Sequence, residues 1–478
     1  MRKLGLFENS VSVGASAVLG LVALALCSVD LAACKKKPPV PVTQPEPASD
    51  LGADAPERAA SSLPAAPSPG PVPARCHELA HGSPFRIGEL AATRAPAEDA
   101  DDGGPDEDDE VPAPFSVELG PARADADGFA ISALRSVKGQ THALLALLNG
   151  DAGAGKLVDL GTVHGDPDPP QFAVRGKDLL IAAPDADAGG GMLKVGIVRD
   201  ARGAAQITWG PEVTGVRRDS TFALESSGDH ALLAYATETA GKIRVFGALL
   251  DPSNLKQKLN PEPLSTLGAD VDSPRLALRK GGYWLAMARA LDAPKVKLKA
   301  RALDAGADEQ IEGDSVLDIG TRRIEVLKLD ALGKVASSAL VVTKPGARPM
   351  SFELASAADG GAYIAFRDDD STPGTNGGAL ELLHVKADGS FEKVELNAQA
   401  DGTGTPTLFA DSNDAGKVWL TAAGENGATW FGRLSEHTAL GADSVVRGSD
   451  LIAAREGKLL LTRSKGTAVE LSLVQCAE

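Results

Sequence analysis

From residue 115 onward the chain is built on one recurring cadence of short apolar segments. A first element sets an aromatic residue or Leu among small neighbours: Gly128-Phe129-Ala130-Ile131, Gln171-Phe172-Ala173-Val174, Thr221-Phe222-Ala223-Leu224, Arg275-Leu276-Ala277-Leu278, Ser351-Phe352-Glu353-Leu354 and Thr407-Leu408-Phe409-Ala410. A Gly- or Asp-containing turn follows, and then an apolar run rich in Ala, at 142–148, 179–183, 231–236, 283–288, 362–366 and 418–422. Some repeats continue into an alternating strand; in 295–302 every other side chain is charged, the two-residue period of a strand with one wet face. Counted from Phe129, Phe172, Phe222, Leu276, Phe352 and Leu408, the steps are 43, 50, 54, 76 and 56 residues. The long step predicts an insertion near 304–322.

Steps near 45–55 residues with about four strands each are the spacing of propeller blades. Over roughly 115–476 the repeats resemble those of β-propellers in general, without the Trp-Asp pair or the S-x-D-x-G-x-T-W box of two well-known propeller families. The expected fold is all-β, a β-propeller of six or seven blades; the alternative is two β-sandwich domains with the same strand rhythm. Segments 449–454, 457–463 and 468–474 would supply the last blade or complete the first.

The N-terminus reads as an export signal. Arg2 and Lys3 precede a segment without charge between Glu8 and Asp30, most apolar over 15–26. It runs into Leu31-Ala32-Ala33-Cys34, which resembles the lipobox of bacterial lipoproteins, although Asp30 just before the box departs from the usual pattern. The resemblance implies cleavage before Cys34 and a lipid on Cys34. An uncleaved membrane anchor is the plainer alternative, since the 21 uncharged residues 9–29 could span a bilayer. On this reading 1–33 is the signal peptide and 34–75 the lipid anchor and a stalk. Eleven of the chain's 31 prolines fall in 38–75, which keeps that segment extended and out of helix or sheet. The expected location is a bacterial cell envelope, facing the periplasm or the exterior.

Cys27 lies in the signal and Cys34 at the lipidation position, which leaves Cys76 and Cys476 for a disulfide in an oxidising compartment. Such a bridge requires the two ends of the folded domain, 76–478, to lie within about 7 Å, a condition that a closed ring satisfies.

Lys and Arg total 48 against 65 Asp and Glu, a net charge of -17, which excludes nucleic-acid binding through clustered positive charge. Aromatic residues are 4% of the chain, too few for extended stacking platforms. Nine acids crowd into 98–110, read as a solvated loop over 96–113 rather than a calcium site, because the spacing of a calcium loop is absent. His77-Glu78-Leu79-Ala80-His81 matches the H-E-x-x-H string, in which His77 and His81 would hold zinc and Glu78 would activate water if the segment were helical. Prolines at 73 and 84 and Gly82 leave little room for that helix. His142, His164, His230, His384 and His437 are scattered singly and carry no assigned role. Acidic pairs recur at strand ends (Asp125 and Asp127, Asp166 and Asp168, Asp185 and Asp187, Asp411 and Asp414), a placement that suits turn formation. The densest group, Asp368, Asp369 and Asp370, is the expected place for a loop ligand site. The functional expectation is a membrane-tethered, non-enzymatic binding or scaffolding propeller with no cofactor and an unidentified protein or glycan partner. The alternative is a zinc peptidase using the string at 77–81.

Overall fold

The computed structural model describes residues 76–79, 85–88, 115–137, 139–150, 155–165, 167–187, 190–216, 221–256, 261–266, 268, 270–291, 321–368, 379–396, 405–411, 414–423, 428–434, 437–438, 440–465 and 468–476. These residues form seven four-stranded antiparallel blades. Each of blades 1 to 5 is a meander of consecutive strands, and blade 6 is interrupted before its fourth strand by His437–Thr438, which pairs in parallel with Glu395–Leu396; the six blades begin with Phe115–Ala124, Gln171–Arg175, Phe222–Ser226, Val271–Arg279, Pro349–Ser356 and Thr407–Asp411. Blade 7 begins with Asp450–Arg455, continues through Lys458–Lys465 and Ala468–Cys476, and takes its fourth strand from the opposite end of the domain. Cys76–Glu78 and Phe85–Ile87 both pair with Ala468–Cys476, so that Cys76 faces Cys476 and Ile87 faces Val469.

The packing explains why the middle strands read as unbroken apolar runs rather than as alternating ones. In the third strand of blade 1, Gln140–Asn149, the residues Ala143, Leu145 and Leu147 pack against blade 2. Their neighbours Leu144, Ala146 and Leu148 pack against blade 7. Successive side chains point to opposite faces of a sheet, so a strand covered on both faces must be apolar throughout. The described core divides into seven clusters, one between each pair of adjacent blades, and the cluster joining blades 7 and 1 (Ile87, Phe129, Leu460 and Leu471 among its members) completes the ring. Two sandwiches would not generate this cyclic set, and that alternative is set aside.

Three details of the repeat differ from the sequence reading. Phe129 lies in the second strand of blade 1, whereas Phe172, Phe222, Leu276, Phe352 and Leu408 lie in first strands, which is why the step after Phe129 is the shortest. The true first strand of blade 1 escapes the pattern because a bulge between Leu119 and Ala122, at Gly120-Pro121, interrupts its alternation. The third strand of blade 4 is Thr321–Asp330, so residues 321 and 322 belong to a strand and not to the insertion. The rest of 304–322 lies outside the described residues, as do the alternating segment 295–302, the acidic loop 96–113 and the whole of 1–75.

The closure is covalent. Cys76 and Cys476 form a disulfide across 400 residues of sequence, and the Cys76 N–H is held by the Asp443 carboxylate at 2.9 Å. A bridge spanning so long a loop removes about 6 kcal/mol of chain entropy from the unfolded state by the loop-closure relation, an upper figure. Replacing Cys76 by Ser is expected to lower unfolding stability by about 2–5 kcal/mol, read as a drop in urea midpoint. Reductant should then shift the midpoint of the wild type and leave that of the variant where it is.

Candidate functional site

Each blade's first strand starts, and its second strand ends, on the same face of the ring, because neighbouring strands are antiparallel. On that side the outer walls of blades 1 and 2 stand apart from the rest. Their fourth strands, Gly155–Val163 and Gln206–Val216, have 9 and 11 residues, whereas the outermost strands of the other blades have two or three. Between these two long strands runs an open cleft of about 370 Å³.

Both walls carry a β-bulge. In blade 2 the pairing shifts between Trp209 and Glu212, across Gly210-Pro211. Pro211 has no N–H to give to the ladder, so the strand cannot continue regularly through it. Trp209 lies opposite Gly196 and Glu212 opposite Lys194. Gly196 and Lys194 are two residues apart and therefore share a face, so the bulge brings Trp209 and Glu212 onto the wall that faces blade 1. In blade 1 the pairing shifts between Ala143 and Leu144. Gly161, at φ 110°, takes a backbone conformation that only glycine adopts readily, and its N–H is held by the Asp159 carboxylate at 2.8 Å.

Trp209 is 39% exposed. Its six-membered ring lies on Gly196, where an added Cβ would fall 2.8 Å from Cε3. The absence of a side chain at 196 thus lets the indole rest on the sheet while the remainder of its surface meets solvent.

At the rim of the cleft, Asp185 is buried. Its carboxylate accepts the His164 backbone N–H at 3.0 Å, engages His164 Nδ1 at 2.9 Å and pairs closely with Lys194 Nζ. Burial acts to raise the Asp185 pKa, but the hydrogen bonds from Lys194 and His164 outweigh it and hold the carboxyl below the ordinary aspartate value. His164 itself projects into solvent.

The residues singled out from sequence are distributed differently. Asp368, at the end of the second strand of blade 5, is buried, accepts the Arg348 N–H at 3.2 Å and pairs with Lys344 at 2.7 Å. Its carboxylate is committed to the connection that leads from blade 4 into blade 5, and it does not present an open ligand site. Asp369 and Asp370 lie outside the described residues. His77 sits exposed on an extended strand opposite Gln475, and Glu78 faces Arg463 at 3.5 Å. The helix that the H-E-x-x-H string needs does not form over Cys76–Glu78, because those residues are claimed by pairing with blade 7; His81 lies outside the described residues, as does Cys34. Asp125 plays the turn role expected of it, accepting the N–H groups of Asp127 and Gly128, whereas Asp411 accepts those of Glu456 and Gly457, in the turn between the first two strands of blade 7. Among the described residues no group of three His, Cys, Asp or Glu side chains is placed to hold a metal ion.

Charged pairs also mark the inner strands. Arg123 of blade 1 pairs with the buried Glu225 of blade 3, and burial raises the Glu225 pKa more than Arg123 lowers it. Trp209, Glu212, Lys194 and His164 were not picked out from sequence. The available signal was Gly210-Pro211, two turn-formers inside an otherwise strand-like stretch, the mark of a bulge.

No protein-family model and no curated protein sequence matches the chain. Among solved structures, the fold is similar to a PL25 polysaccharide lyase, an ulvan lyase, at 9% identity and TM-score 0.50, covering 76% of this chain and 96% of that one. The same type of enzyme bound to a -[GlcA(1-4)Rha3S]- fragment matches at 9% identity and TM-score 0.50, over 75% of this chain and 96% of that one. The propeller domain of the Trilobed protease from Pyrococcus furiosus, described as having an open velcro topology, matches at 9% identity and TM-score 0.43, over 76% and 95%. The two likenesses at TM-score 0.50 agree with the β-propeller fold.

Because the folded Asp185 gives up its proton more readily than an unfolded aspartate, its contribution to stability is present above the ordinary value of 3.8 and is lost as pH falls through its lower folded pKa. Asp185→Asn is expected to flatten the decline in melting temperature between roughly pH 5 and pH 2. Thermal melts of both proteins across that range give the comparison; parallel curves would contradict it.

Proposed function

We propose that the protein is a lipid-anchored propeller of a bacterial envelope that binds its ligand without transforming it. The observation that carries the tethered part is the way the N-terminal side joins the ring. The first described residue, Cys76, is at once the fourth strand of blade 7, a partner of Asp443 and half of the disulfide to Cys476. A pull transmitted along residues 34–75 would meet a covalent bond at the domain boundary rather than a peelable edge strand. That arrangement supports a domain held on a stalk from Cys34.

The binding part rests on the cleft between blades 1 and 2. Its buried carboxylate, Asp185, is kept ionised and already engaged by Lys194 and His164. A general acid or base needs the opposite, a pKa tuned toward the working pH and a free oxygen. The cleft supports recognition: two bulged walls, one exposed indole and charged groups at fixed positions. The ulvan lyases and the protease with similar folds act on polymers by their names, but at 9% identity they lend this chain only its architecture.

In a bacterial host that processes lipoproteins, the full-length protein is expected in the detergent phase of a membrane extraction, and Cys34→Ala is expected in the soluble fraction. Detergent-phase partitioning of the Cys34→Ala variant would argue for an uncleaved hydrophobic anchor instead. Peptide hydrolysis that disappears in His77→Ala would replace the binding reading with a peptidase.

A further inference from the structure

We infer that the cleft between blades 1 and 2 binds a glycan of uncharged sugars, with one pyranose ring seated on Trp209. This rests on the binding reading above and names its ligand class.

The starting point is the indole. Of the four tryptophans, Trp284 and Trp419 are buried in the cores between blades and Trp430 is half-buried against another, whereas Trp209 is exposed on a cleft wall. A large aromatic surface left in water at a concave place is the informative kind of exposure. Here the ring is held by Gly196 beneath it, so it is presented rather than loose. A pyranose offers the matching surface: a face of C–H groups for the ring and equatorial hydroxyls around it.

The hydrogen-bonding groups for those hydroxyls stand on the same wall. Glu212 is directly opposite Lys194 on the neighbouring strand, and Lys194 is in turn paired with Asp185. Directly opposed side chains in a sheet have Cβ atoms roughly 5 Å apart, so an acceptor and a donor stand together next to the indole, one same-face pair along the two strands.

Charge decides among the alternatives. The charged residues lining the cleft are Lys194 and Glu212; Lys194 is already matched by Asp185 at the rim, which leaves Glu212 as the unmatched charge, so the cleft disfavours polyanions. An extended peptide would be expected to add to the exposed edge of blade 2 by backbone pairing. That edge is broken at Gly210-Pro211 beside the indole, and Pro211 has no N–H to offer. What remains is a ligand recognised by its apolar faces and hydroxyls. The cleft, at about 370 Å³, is near the lower end of the roughly 300–1,000 Å³ found for ligand pockets, enough for a short stretch of a glycan chain. A single stacking residue also agrees with the low aromatic content, which excludes an extended platform.

The test uses detergent-solubilised full-length protein and three hexasaccharides: one of N-acetylglucosamine, one of glucose in β-1,4 linkage and one of galacturonic acid. Binding of either neutral hexamer is expected to change tryptophan fluorescence and to shield the protein from acrylamide quenching. Trp209→Ala is expected to weaken it at least about tenfold. Glu212→Gln should weaken it less, and Trp209→Phe should recover part of the loss. Since Trp209 is at the surface, the melting temperature of these variants should stay near that of the wild type; if Trp209→Ala fails to fold, Trp209→Phe and Glu212→Gln carry the comparison. The assignment is overturned if neither neutral hexamer binds up to about 10 mM, if the galacturonic acid hexamer binds tightest, or if binding is indifferent to Trp209 and Glu212. Cys34-dependent membrane partitioning that persists in any of those cases would leave the tethered-propeller reading intact and remove only the glycan.

Discussion

The whole ring depends on the fact that each blade is apolar on both faces. A blade with one neighbour would expose half of its core, so no partial ring is satisfactory and the last blade must reach the first. Closure therefore falls on blade 7, whose own chain segment supplies three strands and whose fourth is borrowed from residues 76–87. Pairing alone gives that borrowed strand three residues at Cys76–Glu78 and three more at Phe85–Ile87. The disulfide and the Asp443 hydrogen bond turn a short edge contact into a fixed seam.

A ring built this way leaves little freedom in its inner layers, and variation is pushed outward to the fourth strands. Most are two or three residues long, enough to cap the third strand and no more. The exceptions in blades 1 and 2 are long enough to stand beyond the core, where their side chains no longer need to be apolar. Long strands bring their own hazard, an edge open to pairing with other chains, and bulges are a common remedy. These bulges therefore serve twice. They interrupt the edges, and they place Trp209, Glu212 and the turn at Gly161 on facing walls.

What could be read from the sequence follows the same division. The inner strands repeat because packing on both sides restricts them to the same few residue types, and so the blade rhythm and its period were visible in Phe172, Phe222, Leu276, Phe352 and Leu408. Cys76 and Cys476 were legible as a pair because pairing is a matter of counting and compartment. Blade 1 was read one strand out of phase because Gly120-Pro121 breaks the alternation of its first strand. The cleft was not legible, since its residues are brought together by bulges whose effect on facing depends on strand pairing, and nothing in a linear reading sets Glu212 opposite Lys194. Asp368 looked more available than it is: density of acids in sequence does not reveal that Lys344 and Arg348 already occupy the carboxylate.

The same distinction between charge count and charge use applies to the domain at large. Carboxylates such as Asp125, Asp411 and Asp443 hold backbone N–H groups at turns and at the seam, and Asp185 and Glu325 sit among cations that keep them ionised. Glu325 illustrates the balance: burial acts to raise its pKa, and hydrogen bonds from Arg289 and Arg323 more than reverse it. Each such carboxylate satisfies groups that burial would otherwise leave costly, so these acids are part of the framework and are not free to meet a ligand. Glu212 differs, because it is exposed, lies on a wall instead of in a turn, and stands across from a lysine whose charge is already matched. An acid that the fold does not consume, beside an indole that the core does not bury, is where the molecule has polar and apolar surface to offer to something other than itself.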